Sequence, residues 1–275
     1  MKTIKFRSNG QEVLTLQQKL VKLGYKITVS DYFGEETETA VKDFQRKNNL
    51  VADGIVGSKT WAKFESKENN TGDFNEKLLS EQDLNDFAKQ YDVELAAVKA
   101  VNEIESRGSG FLNDGRPKIL FEGHIFWRQL VKLNLSPESA LNEENKDVLY
   151  KKWTRNFYLG GAGEYGRLEK AVSISLEPGF KEAAYASASW GAFQIMGYHY
   201  KSLGYASVDD FVTKMYEHER EHLGAFGRYL EKNNLIRHLK SKNWASFARG
   251  YNGPSFAANK YDEKLKKAYE RFQNL

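Results

Sequence analysis

The 275 residues predict a mainly α-helical chain built from a small unit and a larger one. Three observations carry that expectation. Apolar residues recur at spacings of three and four in successive segments, the period of a helix with one buried face. Glycine, asparagine and proline fall where those segments end. A polar stretch, ESKENNTGDFNEK over residues 65–77, has no apolar period and reads as a connection. The expected organisation is a compact unit over residues 1–65, a linker over residues 66–77, and a larger domain over residues 78–275.

Composition narrows the class. A hydrophobic share of 40%, with 13% aromatic residues, describes a chain able to pack a core rather than a disordered one. The chain has no cysteine, which excludes disulfides and thiolate metal sites. The opening MKTIKFRSNG lacks the apolar centre of a secretion signal, and no later run could span a bilayer. A protein made and kept in a cytoplasm, without stable membrane insertion, is therefore expected. The net charge of +4 suits an anionic polymer only weakly. Basic residues are scattered among acids, so nucleic acid is not an expected partner.

In GQEVLTLQQKLVKLGY, Val13, Leu16, Leu20 and Leu23 mark one helix face, and Gly24 ends it. A repeat follows at an offset of 23 residues. DYFGEET lies over GIVGSKT, aligning Phe33 with Val56, Gly34 with Gly57 and Thr37 with Thr60. Each copy places a glycine turn before a helix start. AVKDFQRKNNL is the second full helix, with Val41, Phe44 and Gln45 inward.

Past the linker, Ser80 and Asp83 have capping-box spacing, and Leu84, Phe87, Ala88 and Tyr91 give the next helix its inward face. Asp92 is the expected N-cap of the helix that follows, LAAVKAVNEIE. There Leu95, Val98, Val101 and Glu105 share one side, and Gly108 and Gly110 are expected to stop it. A carboxyl group thus closes an apolar stripe beside a glycine-rich turn with room for a ligand. Desolvation there would raise the pKa of Glu105, as a general acid working near neutral pH requires. Glu103 lies on the other face, four residues after Lys99, and is expected in a solvated ion pair.

KILF, residues 118–121, is a candidate short strand, with Glu122 and His124 at its end. Those two polar residues fit a binding site or a hydrogen-bonded loop closure equally well. Residues 133–152 are charged and expected to be helical, starting at Ser136-Pro137. GGAGEYG contains G-x-G-x-x-G, but no apolar strand precedes it, so a dinucleotide site is not expected. In SWGAFQIMG a small flexible turn adjoins Gln194, whose amide can donate and accept at once and suits the acetamido and hydroxyl groups of a sugar chain.

Ser207 and Asp210 open an expected single long helix to Leu230. It contains His218-Glu219-x-x-His222, the zinc-protease spacing. Phe211, Met215, His222 and Phe226 share its inward face and no third ligand is evident, so no metal is expected. Glu219 is then a buried carboxylate in need of a partner. A helix over residues 243–251 ends in Asn252-Gly253-Pro254, and a basic amphipathic helix over residues 261–272 closes the chain.

Two resemblances follow from these motifs. Leu16-Gln17, Leu23-Gly24-Tyr25, Phe33-Gly34-x-x-Thr37, Ala40-Val41-x-x-Phe44-Gln45 and Asp53-Gly54-x-x-Gly57 resemble the three-helix peptidoglycan-binding domain of bacterial and phage wall hydrolases. The chain departs from that pattern at Ser30-Asp31, where the family usually has Asp-Gly. Glu105-Ser106, Gly191-Ala192-Phe193-Gln194-Ile195 and Tyr251-Asn252-Gly253 resemble the lysozyme-like superfamily. With GRPKILFEGH, EYGRLEKA and ARGYNGP added, the second domain resembles the N-acetylmuramidases of modular phage endolysins.

The resemblance implies a lysozyme-like, α-rich catalytic domain acting on bacterial peptidoglycan as a monomer without a cofactor. It implies that Glu105 protonates the glycosidic oxygen between N-acetylmuramic acid and N-acetylglucosamine. Gln194, Tyr251 and Asn252 would line the saccharide groove, with Glu122 and His124 as further substrate contacts. Glycoside hydrolysis usually needs a second carboxylate; none is located, and Glu122 is the spare candidate. The family carries a glutamate at the position of Glu219 without the flanking histidines, so the metal motif reads as accidental. Such an enzyme would wait in the host cytoplasm until the membrane is permeabilised. A lytic transglycosylase on the same fold and a zinc endopeptidase are the alternatives.

Overall fold

The helices expected in the first 65 residues form, in a computed structural model that describes residues 1–69, 77–106 and 109–273. They are α1 (Gln11–Lys22), α2 (Glu35–Lys47) and α3 (Ser58–Asn69). Val13, Leu16, Leu20, Phe33, Val41, Phe44, Val56 and Phe64 form their common core. Phe44 and Phe64 stack with ring centroids 3.9 Å apart. α3 runs on through residues 66–69, at the head of the expected linker; residues 70–76 lie outside the described residues.

The 23-residue repeat rests on a pair of buried glutamines. Gln17 donates from Nε2 to Tyr32 O and Thr37 Oγ1 and accepts from Ser30 N. Gln45 donates to Ile55 O and Thr60 Oγ1 and accepts from Gly54 N. Each amide therefore ties the turn before the next helix to that helix's first turn, satisfying backbone groups that would otherwise be orphaned. Ser30 does the work of Asp53: Tyr32 N bonds Ser30 Oγ as Ile55 N bonds Asp53 Oδ1. The Ser30-Asp31 departure thus leaves the turn intact.

Two compact units make up the chain, residues 1–109 together with 235–275, and residues 110–234. Beyond α1–α3 the first contains α4 (Glu81–Tyr91), α5 (Leu95–Glu105), α12 (Ile236–Lys240), α13 (Trp244–Asn252) and α14 (Tyr261–Gln273). Ser80 and Asp83 form the expected capping box on α4. Asp92 does not cap α5. It closes α4 in the left-handed region at φ 51° and pairs with Lys240 at 3.0 Å, while Glu94 precedes α5. An aspartate tolerates that backbone conformation better than most side chains, which is why α4 can end there.

α5 buries Ala97, Val98, Ala100 and Val101 and packs along α14, where Leu265, Ala268 and Phe272 are buried. The expected Glu103–Lys99 pair is absent. Lys99 turns to Glu81 at 2.5 Å, and Glu103, with a side chain 15% exposed, binds Arg271 of α14 and lies 3.9 Å from Lys5. Lys5 belongs to the N-terminal residues, and Ala52 N likewise donates to Glu81. Residues 1–65 are thus tied into this unit by polar contacts.

The second unit centres on a small antiparallel sheet of β1 (Ile119–Phe121), β2 (Ala188–Trp190) and β3 (Ile195–Met196), in the order β1-β2-β3. Ile119 pairs with Trp190 and Phe121 with Ala188. Around it lie α6 (Gly123–Lys132), α7 (Pro137–Ala140), α8 (Gly163–Val172), α9 (Pro178–Ala186), α10 (Val208–Glu217) and α11 (Glu219–Lys232). A 3-10 helix, Gly197–Leu203, follows β3.

Residues 133–152 form only the single turn α7 rather than a helix. Asn142 and Asn145 bond neighbouring backbone groups instead, the competition that keeps asparagine out of helix interiors. The expected helix over residues 207–230 breaks at His218. That residue is extended, with φ −162° and ψ 150°, and its Nδ1 caps α11 by accepting from Arg220 N at 2.9 Å. No described helix is long and apolar enough to cross a membrane.

Candidate active site

Glu105 is the last residue of α5 and is 8% exposed. The helix stops at Ser106, whose N–H still bonds Asn102 O; Gly108, an expected stop signal, lies outside the described residues. Asn252, the last residue of α13, donates from Nδ2 to Glu105 Oε1 at 3.0 Å across 147 residues of sequence. Gly253 at φ 78° turns the chain away immediately afterwards. α13 reaches this place because Trp244, Phe247 and Ala248 are buried along its length and it packs on α14, which packs on α5. Tyr251 is half-buried and stacks on Phe247 with centroids 6.0 Å apart. The first unit therefore brings Glu105, Asn252 and the Tyr251 helix end together.

Gln194 sits in the second unit, at the tip of the β2–β3 turn. Both turn residues that require it have positive φ, Gly191 at 73° and Gln194 at 51°. The Gln194 amide is engaged within its own turn. Nε2 donates to Gly191 O at 2.8 Å and Lys118 O at 3.2 Å, and Oε1 accepts from Ser189 Oγ at 2.9 Å. A second lone pair on Oε1 leaves room for one more donor.

Glu122 lies at the other end of β1, four residues beyond Lys118 or about 13 Å along an extended strand, and His124 follows in α6. The structure does not bring them to Gln194. Tyr158 OH donates to Glu122 Oε2 at 2.5 Å, while His124 Nδ1 stands 3.3 Å from that oxygen without a hydrogen bond. Burial raises the Glu122 carboxyl pKa, against the opposing pull of Tyr158 and Arg167. Burial, with Arg128 nearby, lowers that of His124.

These shifts carry opposite signs for stability. A buried histidine that resists protonation destabilises the fold as pH falls below its ordinary value, because the unfolded chain then binds more protons. A carboxyl with raised folded pKa does the reverse, favouring the fold on acidification through the carboxylate range. Over a titration from about pH 7.5 to about pH 4, His124→Asn should therefore flatten the loss of thermal midpoint that begins below about pH 6.5, and Glu122→Gln should abolish the gain that accompanies acidification toward the ordinary glutamate value. Thermal unfolding of the three proteins across that range checks both signs.

Behind this pair is an ion pair that sequence reading passed over. Glu164 is fully buried and Arg167 is 3% exposed, with Arg167 Nη1 2.8 Å from Glu164 Oε2. Glu164 also accepts from Phe121 N, Leu159 N and Gly160 N. Its carboxylate thus ties the residues just before the G-x-G-x-x-G stretch, Leu159 and Gly160, to β1. The i,i+3 spacing of Glu164 and Arg167 within EYGRLEKA was the available signal.

The His-Glu-x-x-His spacing has a structural explanation too. His218 stands outside α11, so the two histidines do not project as an i,i+4 pair from one helix. His222 Nδ1 accepts from Ala192 N at 3.1 Å and its Nε2 lies 2.7 Å from Met215 O, the geometry of an Nε2-protonated ring. Glu219, fully buried, accepts from Gly110 N at 2.6 Å. A Cβ on Gly110 would come within 2.5 Å of His222, so only glycine fits there. Together these residues hold the loop entering β1 against the Gly191 turn.

Residues 94–273 match the N-acetylmuramidase family, and residues 9–64 match a peptidoglycan binding domain family. Among solved structures, the crystal structure of the Burkholderia AP3 phage endolysin is 41% identical. The match covers 100% of this chain and 99% of that one, with a TM-score of 0.88.

Proposed function

The chain belongs to the N-acetylmuramidase family, and from that premise we propose that it is a monomeric phage endolysin in which Glu105 is the proton donor. It is a glycoside hydrolase acting on peptidoglycan, and the bond cut is the β-1,4 link between N-acetylmuramic acid and N-acetylglucosamine. The observation that carries the assignment is the buried Glu105 carboxyl at the end of α5, oriented by Asn252. The Asn252 amide holds Oε1 of the carboxyl that would carry the transferable proton.

Protonation of the glycosidic oxygen by Glu105 lets the bond to the muramic acid C1 break with oxocarbenium character. The Glu105 carboxylate left behind can then take a proton from an incoming water, restoring the acid. Asn252 and Tyr251 would hold the sugar beside it, and Gln194 keeps one lone pair of Oε1 for a saccharide donor. Glu122, which accepts from Tyr158, and His124 beside it are kept as further substrate contacts. Residues 1–65 would keep the enzyme on the wall between cuts.

The same carboxylate could instead accept the proton of the muramic acid 6-hydroxyl, which would attack C1 and leave an anhydro ring. Mass spectrometry of digested walls separates the two. Hydrolysis predicts reducing muramic acid ends, heavier by one water than anhydro products. Digestion should also continue in excess chelator, since the ring nitrogens of His222 are held by Ala192 and Met215. Anhydro ends as the main product would reassign the reaction to a transglycosylase.

A further inference from the structure

Between Leu149 and Glu164 the chain carries Lys151, Lys152 and Arg155 and no carboxylate. All three are exposed, and none forms an ion pair with a described residue. Instead the Lys151 ammonium lies 5.7 Å from the ring centre of Trp127, and the Arg155 guanidinium 5.5 Å from that of Trp153. A cation stacked on an aromatic face keeps N–H donors for a further acceptor. The same loop turns large apolar side chains outward, Trp153 at 57% exposure and Leu159 at 70%. Single exposed apolar residues are common. A tryptophan and a leucine in one loop with three unneutralised cations make an interaction surface.

The loop is held from its inner side. Phe157 packs on Tyr150 with ring centroids 5.2 Å apart, and Tyr158 OH donates to Glu122. Glu164 accepts from Leu159 N and Gly160 N, and Tyr158 N closes a turn on Arg155 O. The outward side chains are therefore presented on a fixed backbone, which lowers the ordering cost of binding.

We propose that residues 151–159 dock the chain on an anionic lipid surface, with phosphate headgroups on the three cations and Trp153 and Leu159 at the acyl boundary. Cations without neighbouring carboxylates are complementary to phosphate, and tryptophan favours the level between headgroup and hydrocarbon. A single-stranded nucleic acid would also satisfy cations and a stacking ring. It supplies no apolar depth for Leu159, whereas a lipid surface takes that side chain out of water. The contact is peripheral, since the loop is short and charged. It does not depend on the role given to Glu105. For a wall hydrolase, such docking keeps the enzyme at the boundary between membrane and wall.

The test is co-sedimentation of the full chain with vesicles of phosphatidylcholine alone and of phosphatidylcholine mixed with phosphatidylglycerol. The wild-type chain should partition onto the anionic vesicles and not onto the neutral ones. It should leave them as salt approaches about 1 M, where charge is screened within about 3 Å. Lys151→Gln, Lys152→Gln and Arg155→Gln together should weaken binding by about 10²-fold, at about fivefold per cation. Trp153→Ser with Leu159→Ser keeps the charge and should weaken it by about tenfold or more. Lys264→Gln, Lys266→Gln and Lys267→Gln on α14 remove the same charge elsewhere and should weaken it far less. All variants are compared at matched circular dichroism. Equal binding to neutral vesicles, equal losses in the loop and α14 variants, or unchanged binding in either loop variant would overturn the proposal. So would a wild-type chain that ignores both vesicles but binds single-stranded oligodeoxythymidine through this loop.

Discussion

Glu164→Ala should lower stability by about 3–5 kcal/mol, the usual cost of removing one partner from a buried ion pair. The substitution leaves Arg167, 3% exposed, without its carboxylate. It also removes the acceptor for Phe121 N, Leu159 N and Gly160 N. Arg167 keeps its bonds to Phe121 O and Asp147 O, which places the expected loss toward the lower end of that range. Since domains are commonly stable by only about 5–15 kcal/mol, this single change removes a large share. Glu164→Gln, which keeps one acceptor oxygen, should cost less. Urea unfolding of the two variants measures both, and a loss under about 1 kcal/mol for the alanine variant would contradict the role given to the pair.

Much of the fold was legible because helix faces are written locally. Val13, Leu16 and Leu20, or Leu84, Phe87, Ala88 and Tyr91, show their burial through spacing alone and are buried, whereas Leu23, expected on the first of these faces, caps the end of α1 and is 43% exposed. The 23-residue repeat was visible, but its cause was not. The matching roles of Gln17 and Gln45 depend on turns that come 13 and 9 residues later. What failed were boundaries decided by single side chains. The break at His218 comes from one imidazole capping one N–H, and the lost helix after Ala140 comes from two asparagines bonding their own backbone.

For the site, residue types and spacing singled out Glu105, and the burial expected of it is present. Its tie to Asn252 could not be read locally, because 147 residues intervene. The partner of Glu103 was misread for the same reason. An i,i+4 lysine is a local signal, but Arg271 arrives from α14 and displaces it. Gln194 was placed in a turn correctly, while the commitment of its amide to Lys118, Gly191 and Ser189 emerges only when β1 meets β2.

Glu105→Gln keeps the shape of the side chain but has no proton to transfer. Loss of a general acid costs about 10²–10⁴-fold in rate, and more where no other group can assist. Glu103→Gln changes the neighbouring carboxylate on α5, which is held by Arg271 and approached by Lys5 rather than aimed at Asn252. The most direct measurement is therefore the rate at which these two purified variants cleave glycan strands freed of stem peptide, compared at matched circular dichroism. The account predicts a loss of at least about 10²-fold for Glu105→Gln and a rate within a few-fold of wild type for Glu103→Gln. An active Glu105→Gln enzyme beside an inactive Glu103→Gln enzyme would contradict it.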